Sequence, residues 1–250
     1  MRKGILERIG IDQTYGNWNA PIDPKSNEFL YIPIPENERF EIRNGMRINF
    51  SSFTYELKRF CKNFGVDLKN GLKFPEELNN KHAHLDPDFR LLTYGDNGKR
   101  RGAGVAELKK GDFIVFYSSL KPISKCKHKL VYALIGILVI DKIVKAINIE
   151  ANNHNINAHT RKKDISENDI VVFGQNGKSG RFDKCIPIGE WRERAYRVEK
   201  KLLDNWGGLS VKDGYIQRSA VPPEFTDFKK FVKWLGSKNI NLLNYNNYEK

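Results

Sequence analysis

The chain has 250 residues, enough for one large domain or two small ones, and its hydrophobic content of 40% is sufficient for a packed core. Its 43 Lys and Arg residues outnumber 30 Asp and Glu residues, and the formal net charge of +13 favours nucleic acid as the partner. No apolar stretch is long enough to span a membrane, and three widely spaced cysteines exclude a disulfide framework. We therefore expect a cytoplasmic protein with no membrane partner. A proteome with a generally basic, AT-rich background would produce the same charge.

The first 65 residues are predicted to contain one strand and one helix. The strand covers 29–34, where Pro33 and Pro35 confine it to an edge or a strand end. The helix covers 51–64, because apolar residues recur there at helical spacing and a glycine follows. Trp18 lies in the polar loop before the strand, where it either packs into the core or stacks on a base.

The segment 81–88 reads Lys-His-Ala-His-Leu-Asp-Pro-Asp and is the most chemically suggestive part of the sequence. Alternate residues of an extended segment point to the same side, so His82, His84 and Asp86 could converge on zinc or another divalent ion. The competing interpretation gives these groups turn hydrogen bonds and makes Asp88 a cap for the next segment. Because the motif has no further local His or Cys, we expect no cofactor and keep the metal as an alternative. Further ligands would have to come from His128, His154 or His159.

A glycine-rich loop at 93–104 contains Lys99, Arg100 and Arg101. It lacks the Gly-Lys-Ser/Thr ending of a P-loop and the strand and helix that flank one, which excludes that class of triphosphate site. Glycine lets the backbone approach a ligand closely, and a guanidinium can hold a phosphate with two hydrogen bonds. The loop therefore predicts a clamp on a nucleic-acid backbone, with a flexible solvated loop as the alternative.

Two apolar runs in the middle of the chain predict neighbouring strands. A Lys-Gly-Asp turn at 110–112 leads into a strand over 112–118, and a second strand covers 130–140. The connection at 121–129 is a cationic loop, a common location for binding residues. This order of turn, strand and Gly-Ile-Leu-Val-Ile strand resembles the core of PUA-like domains of the EVE and ASCH type. The resemblance implies a small β-barrel that binds RNA, or modified bases in DNA.

Short motifs follow one another in a characteristic order over roughly residues 2–140. They are Asp12, Gly16 and Pro21, then Tyr-Ile-Pro-Ile-Pro at 31–35, His-Leu-Asp-Pro-Asp at 84–88, the glycine-rich loop, and Gly-Asp-Phe-Ile-Val-Phe-Tyr at 111–117. This series resembles the third nucleotide-modification-associated domain family, whose members occur in archaea, bacteria and phages. The resemblance implies a protein that acts on or recognises modified nucleic-acid bases. The matching positions that it singles out are His84, Asp86, Asp88, Gly111 and Asp112.

A polar, Asn-rich stretch at 145–168 separates the two halves of the chain. Its composition predicts a linker or a surface excursion. His159 and Arg161 could reach a phosphate from this loop, but we expect both side chains to be solvated.

The chain after this stretch is predicted to form strands and helices. Strands at 169–174 and 182–188 are joined by an Asn-Gly turn, which predicts a hairpin. Apolar residues at helical spacing predict helices over 190–206 and 224–235.

These elements predict an α+β protein. A PUA-like β-barrel core with flanking helices and an N-terminal extension is expected over 1–150. A C-terminal strand and helix module is expected over 165–250, packed on the core, and one continuous domain is the alternative.

Three functions fit the sequence. The first is a nucleic-acid-binding protein, for DNA or RNA, that takes up a flipped or single-stranded base, plain or modified. The side chains predicted to bind nucleic acid are Trp18, Tyr94, Lys99, Arg100, Arg101, Asp112, Tyr117, Ser118, Lys125, Lys127, Lys129, Arg192, Tyr215 and Gln217. The second is a nuclease, glycosylase or base-modifying enzyme with His84, Asp86 and Asp88 as catalytic residues. The third is a protein-interaction module with a basic surface.

Overall fold

The computed structural model describes residues 2–68, 72–217 and 221–247. These residues form the strands β1 (Gly4–Arg8), β2 (Pro21–Ile22), β3 (Ile34–Pro35), β4 (Ala83–His84), β5 (Thr93–Asp96), β6 (Phe113–Pro122), β7 (Val131–Lys145), β8 (Ile170–Gly174), β9 (Gly180–Pro187), β10 (Gly189–Arg192), β11 (Ala195–Val198) and β12 (Leu242–Leu243). The α-helices are α1 (Thr54–Asn63), α2 (Glu76–Asn79), α3 (Ala103–Ala106), α4 (Lys200–Trp206) and α5 (Phe228–Gly236). Short 3₁₀ turns cover Phe50–Phe53, Arg100–Gly102, Ala146–Asn148, Ala151–Ile156 and Lys212–Gly214. Within the described ranges, no helix combines the length and the apolar character that crossing a membrane requires.

Strand β7 is the centre of an eight-stranded sheet. One edge of β7 pairs antiparallel with β6, from Val139 opposite Phe113 to Val131 opposite Leu120. The other edge is shared, because the first half of β7 pairs with β9 and the second half pairs with β8. Strand β1 runs parallel to β6, β5 pairs with β8, and the short strands β2 and β12 pair with β6 and β9.

The sheet is open in the part of the chain that the structure describes. Its strand order runs β1-β6-β7-β8-β5, and no pairing joins β5 back to β1. The α+β class is therefore confirmed, but the expected PUA-like barrel is not found. Because β8 and β9 occupy successive stretches of the same edge of β7, the sheet branches there instead of curling into a closed ring. Strands from both predicted modules, 1–150 and 165–250, pair in this one sheet.

Apolar cores cover both faces of the sheet. Side chains along a strand point alternately to its two faces. In β6, Ile114 and Phe116 belong to one core, whereas Phe113, Val115 and Tyr117 belong to the other. Helix α1 packs in the first core, and α4 and α5 pack in the second. Burial on both faces explains why β6 and the first half of β7 are continuous apolar runs.

Most of the predicted elements are confirmed. Strands or helices of the predicted type cover most of 51–64, 112–118, 130–140, 169–174, 182–188 and 224–235, with ends that differ by up to five residues. The last helix, α5, begins at Phe228, four positions later than predicted. Asp227 sets this start, because its carboxylate accepts a hydrogen bond from the Lys230 amide as an N-cap.

The predicted helix over 190–206 is wrong in its first half. Residues there form an antiparallel hairpin of β10 and β11, and the chain becomes helical only in α4. The hairpin turns at Glu193 and Arg194, whose φ angles are 51° and 62°. A two-residue turn with both φ angles positive usually carries Asn or Gly, so this pair gives no turn signal. Trp191 and Tyr196 lie opposite each other with ring centroids 5.1 Å apart, and this contact stabilises the hairpin.

Two further predictions are also wrong: the pairing of one hairpin and the extent of one strand. The Asn-Gly turn exists, with Gly177 at a φ of 72°, but the strands on either side of it pair with β7 rather than with each other. The predicted strand over 29–34 is reduced to β3, which pairs with β4. Prolines on both sides of Ile34 limit the ladder to two residues, although Phe29 to Ile32 are buried in the first core.

Candidate functional site

A cleft of about 490 Å³ opens beside the end of β1. Its walls are the second half of β1 with the turn that follows, the segment around His84 and Asp86, strand β5, and His159. The parallel pairing of β1 with β6 places Arg8 opposite Tyr117, so the cleft lies where this part of the sheet ends. The segments that meet here are far apart in sequence, which is typical of a binding site built by a fold.

The turn after β1 shapes the rim of the cleft. The Asp12 carboxylate accepts hydrogen bonds from the backbone amides of Thr14 (2.6 Å) and Tyr15 (2.9 Å), which is the Asx-turn arrangement. Its other oxygen pairs with the Arg8 guanidinium. Asp12 is buried, so these contacts supply the partners that a buried carboxylate needs. The rim is therefore fixed by Asp12, while Thr14 and Tyr15 project their exposed side chains beside the cleft.

Two imidazoles and one carboxylate converge in the wall of the cleft. The Nε2 atoms of His84 and His159 each lie 3.8 Å from Asp86 Oδ2. One ligand atom from each of the three residues lies within 4.8 Å of the others. The two rings stand edge to face with centroids 5.2 Å apart. This His84–Asp86–His159 cluster is the one group of residues in the described chain that could hold a metal ion.

A second carboxylate orients each imidazole. His84 Nδ1 lies 2.9 Å from Glu36 Oε2, and His159 Nδ1 lies 3.3 Å from Asp169 Oδ1. Burial alone would raise the pKa of both carboxyls, but hydrogen bonds and charge from the histidines outweigh it and hold both pKa values below their usual range. Lys162 Nζ also bonds to Asp169, at 3.2 Å. In the tautomer in which Nδ1 donates to the carboxylate, an imidazole presents its Nε2 lone pair to Asp86. Lys162 Nζ also lies 3.4 Å from His159 Nδ1.

Asp86 is held by neutral donors. Both of its oxygens accept from the Gly95 amide, at 2.8 and 2.9 Å, and Oδ1 accepts from Asn157 Nδ2 at 3.0 Å. Gly95 has to be glycine, because a Cβ there would lie 2.4 Å from both Asn157 Oδ1 and His159 Cδ2. Burial raises the pKa of Asp86 to about 7, against the opposing effect of His84 and these hydrogen bonds. Burial likewise lowers the pKa of His159 to about 4, so this ring is neutral at pH 7.

Two further carboxyl groups, those of Glu7 and Asp96, line the cleft. Burial and repulsion from Asp96 raise the pKa of Glu7 to about 8, so Glu7 carries its proton at neutral pH. Its Oε2 atom is buried and has no hydrogen-bond partner. Burial also raises the pKa of Asp96, whose carboxylate lies 3.3 Å from the Tyr94 hydroxyl. Glu7 Oε1 accepts from the Arg8 amide at 3.2 Å, so the unused hydrogen-bonding capacity of this carboxyl is at Oε2, and a buried oxygen without a partner is rare.

The structure brings several of the sequence-predicted site residues together. His84, Asp86, Tyr94, Arg101 and Tyr117 all line the cleft. Asp88 does not line it. Its carboxylate accepts from the Arg90 amide and pairs with Arg161, and this matches the capping alternative. His82 is neither in the metal-competent cluster nor in the wall of the cleft.

The remaining predicted binding residues lie outside the cleft. Trp18 is buried, with its ring centroid 4.8 Å from that of Phe74, and Ser118 is buried as well. Asp112 accepts from the amides of Lys3 and Lys109, so it holds the turn before β6. Cationic side chains that remain exposed are Lys99 and Arg100 beside Arg101, and Lys125, Lys127 and Lys129 in the loop between β6 and β7.

Three C-terminal candidates make contacts within the fold. Arg192 pairs with the carboxylates of Glu190 and Asp213. The guanidinium of Arg197 lies over the ring of Tyr215, with the guanidinium carbon 5.6 Å from the ring centroid. The Gln217 side-chain oxygen accepts from the Tyr196 amide at 2.9 Å.

Sequence reasoning missed Glu7, Asp96 and the central role of His159. The expectation that His159 and Arg161 are solvated is wrong, because both are buried. Their loop is fixed by internal hydrogen bonds, such as those from Thr160 Oγ1 to the carbonyls of His154 and Asn157. An Asn-rich composition is typical of a solvent-exposed loop, so the sequence gave no sign that this loop is packed. The remaining signal was the small number of histidines, five in the whole chain.

The chain matches the family model for nucleotide modification associated domain 3 over residues 3–214. It therefore belongs to this family, and the resemblance seen in its short motifs is confirmed. Membership links the protein to modified nucleotides. No curated protein and no solved structure matches the chain.

The raised pKa of Glu7 makes stability depend on pH. The folded protein holds this proton up to about pH 8, whereas an unfolded chain releases it near the ordinary value of 4.5. The stability that Glu7 contributes is therefore complete at acidic pH and is lost as the pH rises towards 8. We expect the free energy of unfolding to fall by about 4 kcal/mol more in the wild type than in Glu7→Gln between about pH 5 and about pH 9. Urea titrations measure this difference, and parallel pH profiles would contradict it.

Proposed function

We propose that the protein binds nucleic acid and takes one base, plain or modified, into the cleft. The observation that carries the proposal is the cleft itself, whose walls combine unused hydrogen-bonding groups with aromatic rings in a strongly basic protein. Its volume of about 490 Å³ suits a small ring system with part of its sugar. Family membership supports a ligand of this kind.

The charge of the cleft supports the entry of a base rather than a phosphate. Of the carboxyl groups that line it, Glu7 is protonated at neutral pH and burial raises the pKa of Asp86 and of Asp96, so these groups act as hydrogen-bonding partners more than as fixed charges. An interior of this kind suits a neutral ring better than a phosphate. The ring nitrogens and exocyclic amino groups of a base offer donors to the same carboxyls. The base therefore points inward and the backbone stays at the rim, as in proteins that take a base out of its stack.

Glu7 is suited to read the edge of the base. A protonated carboxyl offers one donor and one acceptor in a plane, which matches the paired donor and acceptor on a base edge. Its Oε2 has no partner within the protein, so a ligand can bind without displacing an internal hydrogen bond. The ring of Tyr94 lies in the same wall and supplies an aromatic surface.

Arg101 is placed to hold the backbone. Its side chain is exposed and reaches the cleft, and Lys99 and Arg100 precede it in the same exposed turn. Guanidinium groups bind phosphate with two parallel hydrogen bonds, which fixes orientation as well as supplying charge. From this position at the rim, Arg101 would hold a phosphate that stays outside while the base points into the cleft.

Loss of Arg101 tests the phosphate contact. We expect Arg101→Ala to weaken binding of a single-stranded oligonucleotide and to reduce the slope of log K against log salt concentration by about one. Fluorescence anisotropy over a salt series measures both quantities. The matched control is Lys229→Ala on the exposed face of α5, which removes the same charge away from the cleft. Equal slopes in the two variants would mean that only net charge matters and would remove Arg101 from the site.

A second function, chemistry on the bound base, is favoured by the His84–Asp86–His159 cluster. An imidazole in the wall of a cleft can accept or donate a proton at a bound ring, with or without a metal. A site for base recognition alone has no need of two oriented histidines.

Product analysis separates the two functions. Plain and modified DNA and RNA oligonucleotides are incubated with the protein in Mn²⁺ or in EDTA and then digested and examined by mass spectrometry. If the protein is an enzyme, we expect a new product that His84→Gln loses and His82→Gln retains, because His84 faces Asp86 in the cleft and His82 does not belong to the cluster. Unchanged substrate under every condition would leave base binding as the function.

A further inference from the structure

We propose that the His84–Asp86–His159 cluster binds one divalent transition-metal ion. The site lies in the wall of the cleft, but binding of the ion itself does not require nucleic acid. It therefore stands or falls separately from the function proposed above.

The geometry of the three residues supports a shared ion. Both Nε2 atoms lie 3.8 Å from the same oxygen, Asp86 Oδ2. Two ligands of a tetrahedral zinc ion, each about 2.0–2.1 Å from the metal, lie about 3.3 Å apart. Each Nε2 atom would therefore need to approach Asp86 Oδ2 by about half an ångström, and the two imidazole ligand atoms, within 4.8 Å of each other, would close up by a larger amount.

The orientation of both imidazoles is fixed from outside the cluster. Metal-binding histidines usually donate the second ring N–H to a carboxylate, which presents the free nitrogen to the metal. His84 has Glu36 in this position at 2.9 Å, and His159 has Asp169 at 3.3 Å. Two independent carboxylates that turn two Nε2 atoms towards one oxygen are more than a buried histidine needs for its own hydrogen bond.

The charge balance around Asp86 also favours a cation. Within the described chain, the basic groups at salt-bridge distance from Asp86 are two imidazoles, of which His159 is neutral at pH 7, and no Lys or Arg lies that close. The buried guanidinium of Arg161 pairs with Asp88 and acts on Asp86 only from a greater distance. A buried carboxylate without a cationic partner is costly, and a divalent ion between the two rings would supply the missing charge.

The donor set selects the class of ion. Two nitrogens and one carboxylate suit zinc, iron(II), manganese or cobalt, whereas magnesium and calcium prefer an all-oxygen shell. Thiolates do not contribute, because the three cysteines lie elsewhere and outside the cluster. Three protein ligands leave at least one coordination position open, and a water or the bound ligand can take it.

The cobalt spectrum of the folded protein tests the site. Metal-free wild-type protein is titrated with Co²⁺ in the absence of nucleic acid, and visible absorption bands report the coordination. We expect saturation at one equivalent, with bands that Zn²⁺ displaces. We expect Asp86→Asn and His84→Gln to lose tight binding, and Glu36→Gln to weaken it by about 10–100-fold as a positioning residue.

Controls make the result decisive. His82→Gln keeps a normal spectrum, because His82 belongs to the same short motif but not to the cluster. Circular dichroism confirms that each variant is folded, and Asp86→Asn keeps the shape of the side chain that Gly95 and Asn157 hold. Failure of folded wild-type protein to bind a stoichiometric ion would overturn the proposal. So would retention of the spectrum in folded Asp86→Asn, or equal loss in His82→Gln. Oligonucleotide binding measured in EDTA reports on base uptake separately.

Discussion

The buried carboxylate of Asp86 is the contact on which the candidate site depends. It joins three segments that are distant in sequence, because it accepts hydrogen bonds from Gly95 and Asn157 and faces the imidazoles of His84 and His159. A buried carboxylate that lost these partners would be strongly destabilising, so the three segments are held together. Gly95 lies in β5 of the eight-stranded sheet, whereas His84 lies in β4, which pairs with β3 in a separate two-stranded sheet.

The distribution of charge gives the molecule two distinct surfaces. The outside is basic, with exposed cations around Arg101 and in the loop between β6 and β7, whereas the cleft is lined by carboxyl groups. In the proposed function, the outer field attracts a polyanion. Its base, the neutral part of a nucleotide, would enter the interior, where Glu7 is protonated and burial raises the pKa of Asp86 and of Asp96. Phosphate contacts at the rim would then supply affinity, and hydrogen bonds in the cleft would supply selectivity.

Local signals in the sequence predicted most of the fold and part of the site. The strands β6 and β7 were readable because burial on both faces makes the first half of each sequence a continuous apolar run. The closed barrel was not found, because branching at β7 depends on which strands share its edge, and that is a long-range property. His84 and Asp86 stood in a conspicuous motif, but His159 lay in an Asn-rich loop whose burial is set by tertiary contacts. Glu7 gave no signal, since its role comes from parallel pairing with a strand more than one hundred residues away.

Blocking the cleft tests most directly whether a base enters it. Thr14 is exposed and lines the rim, so Thr14→Trp would fill the entrance without disturbing the core, and its neighbour Gln13, outside the lining, provides the control Gln13→Trp. Affinity is measured for an oligonucleotide with its bases and for the same backbone with abasic positions. If a base enters the cleft, wild type and Gln13→Trp prefer the oligonucleotide with bases, and Thr14→Trp binds both oligonucleotides equally through phosphate contacts. A Thr14→Trp variant that keeps the affinity and the preference of the wild type would contradict base entry.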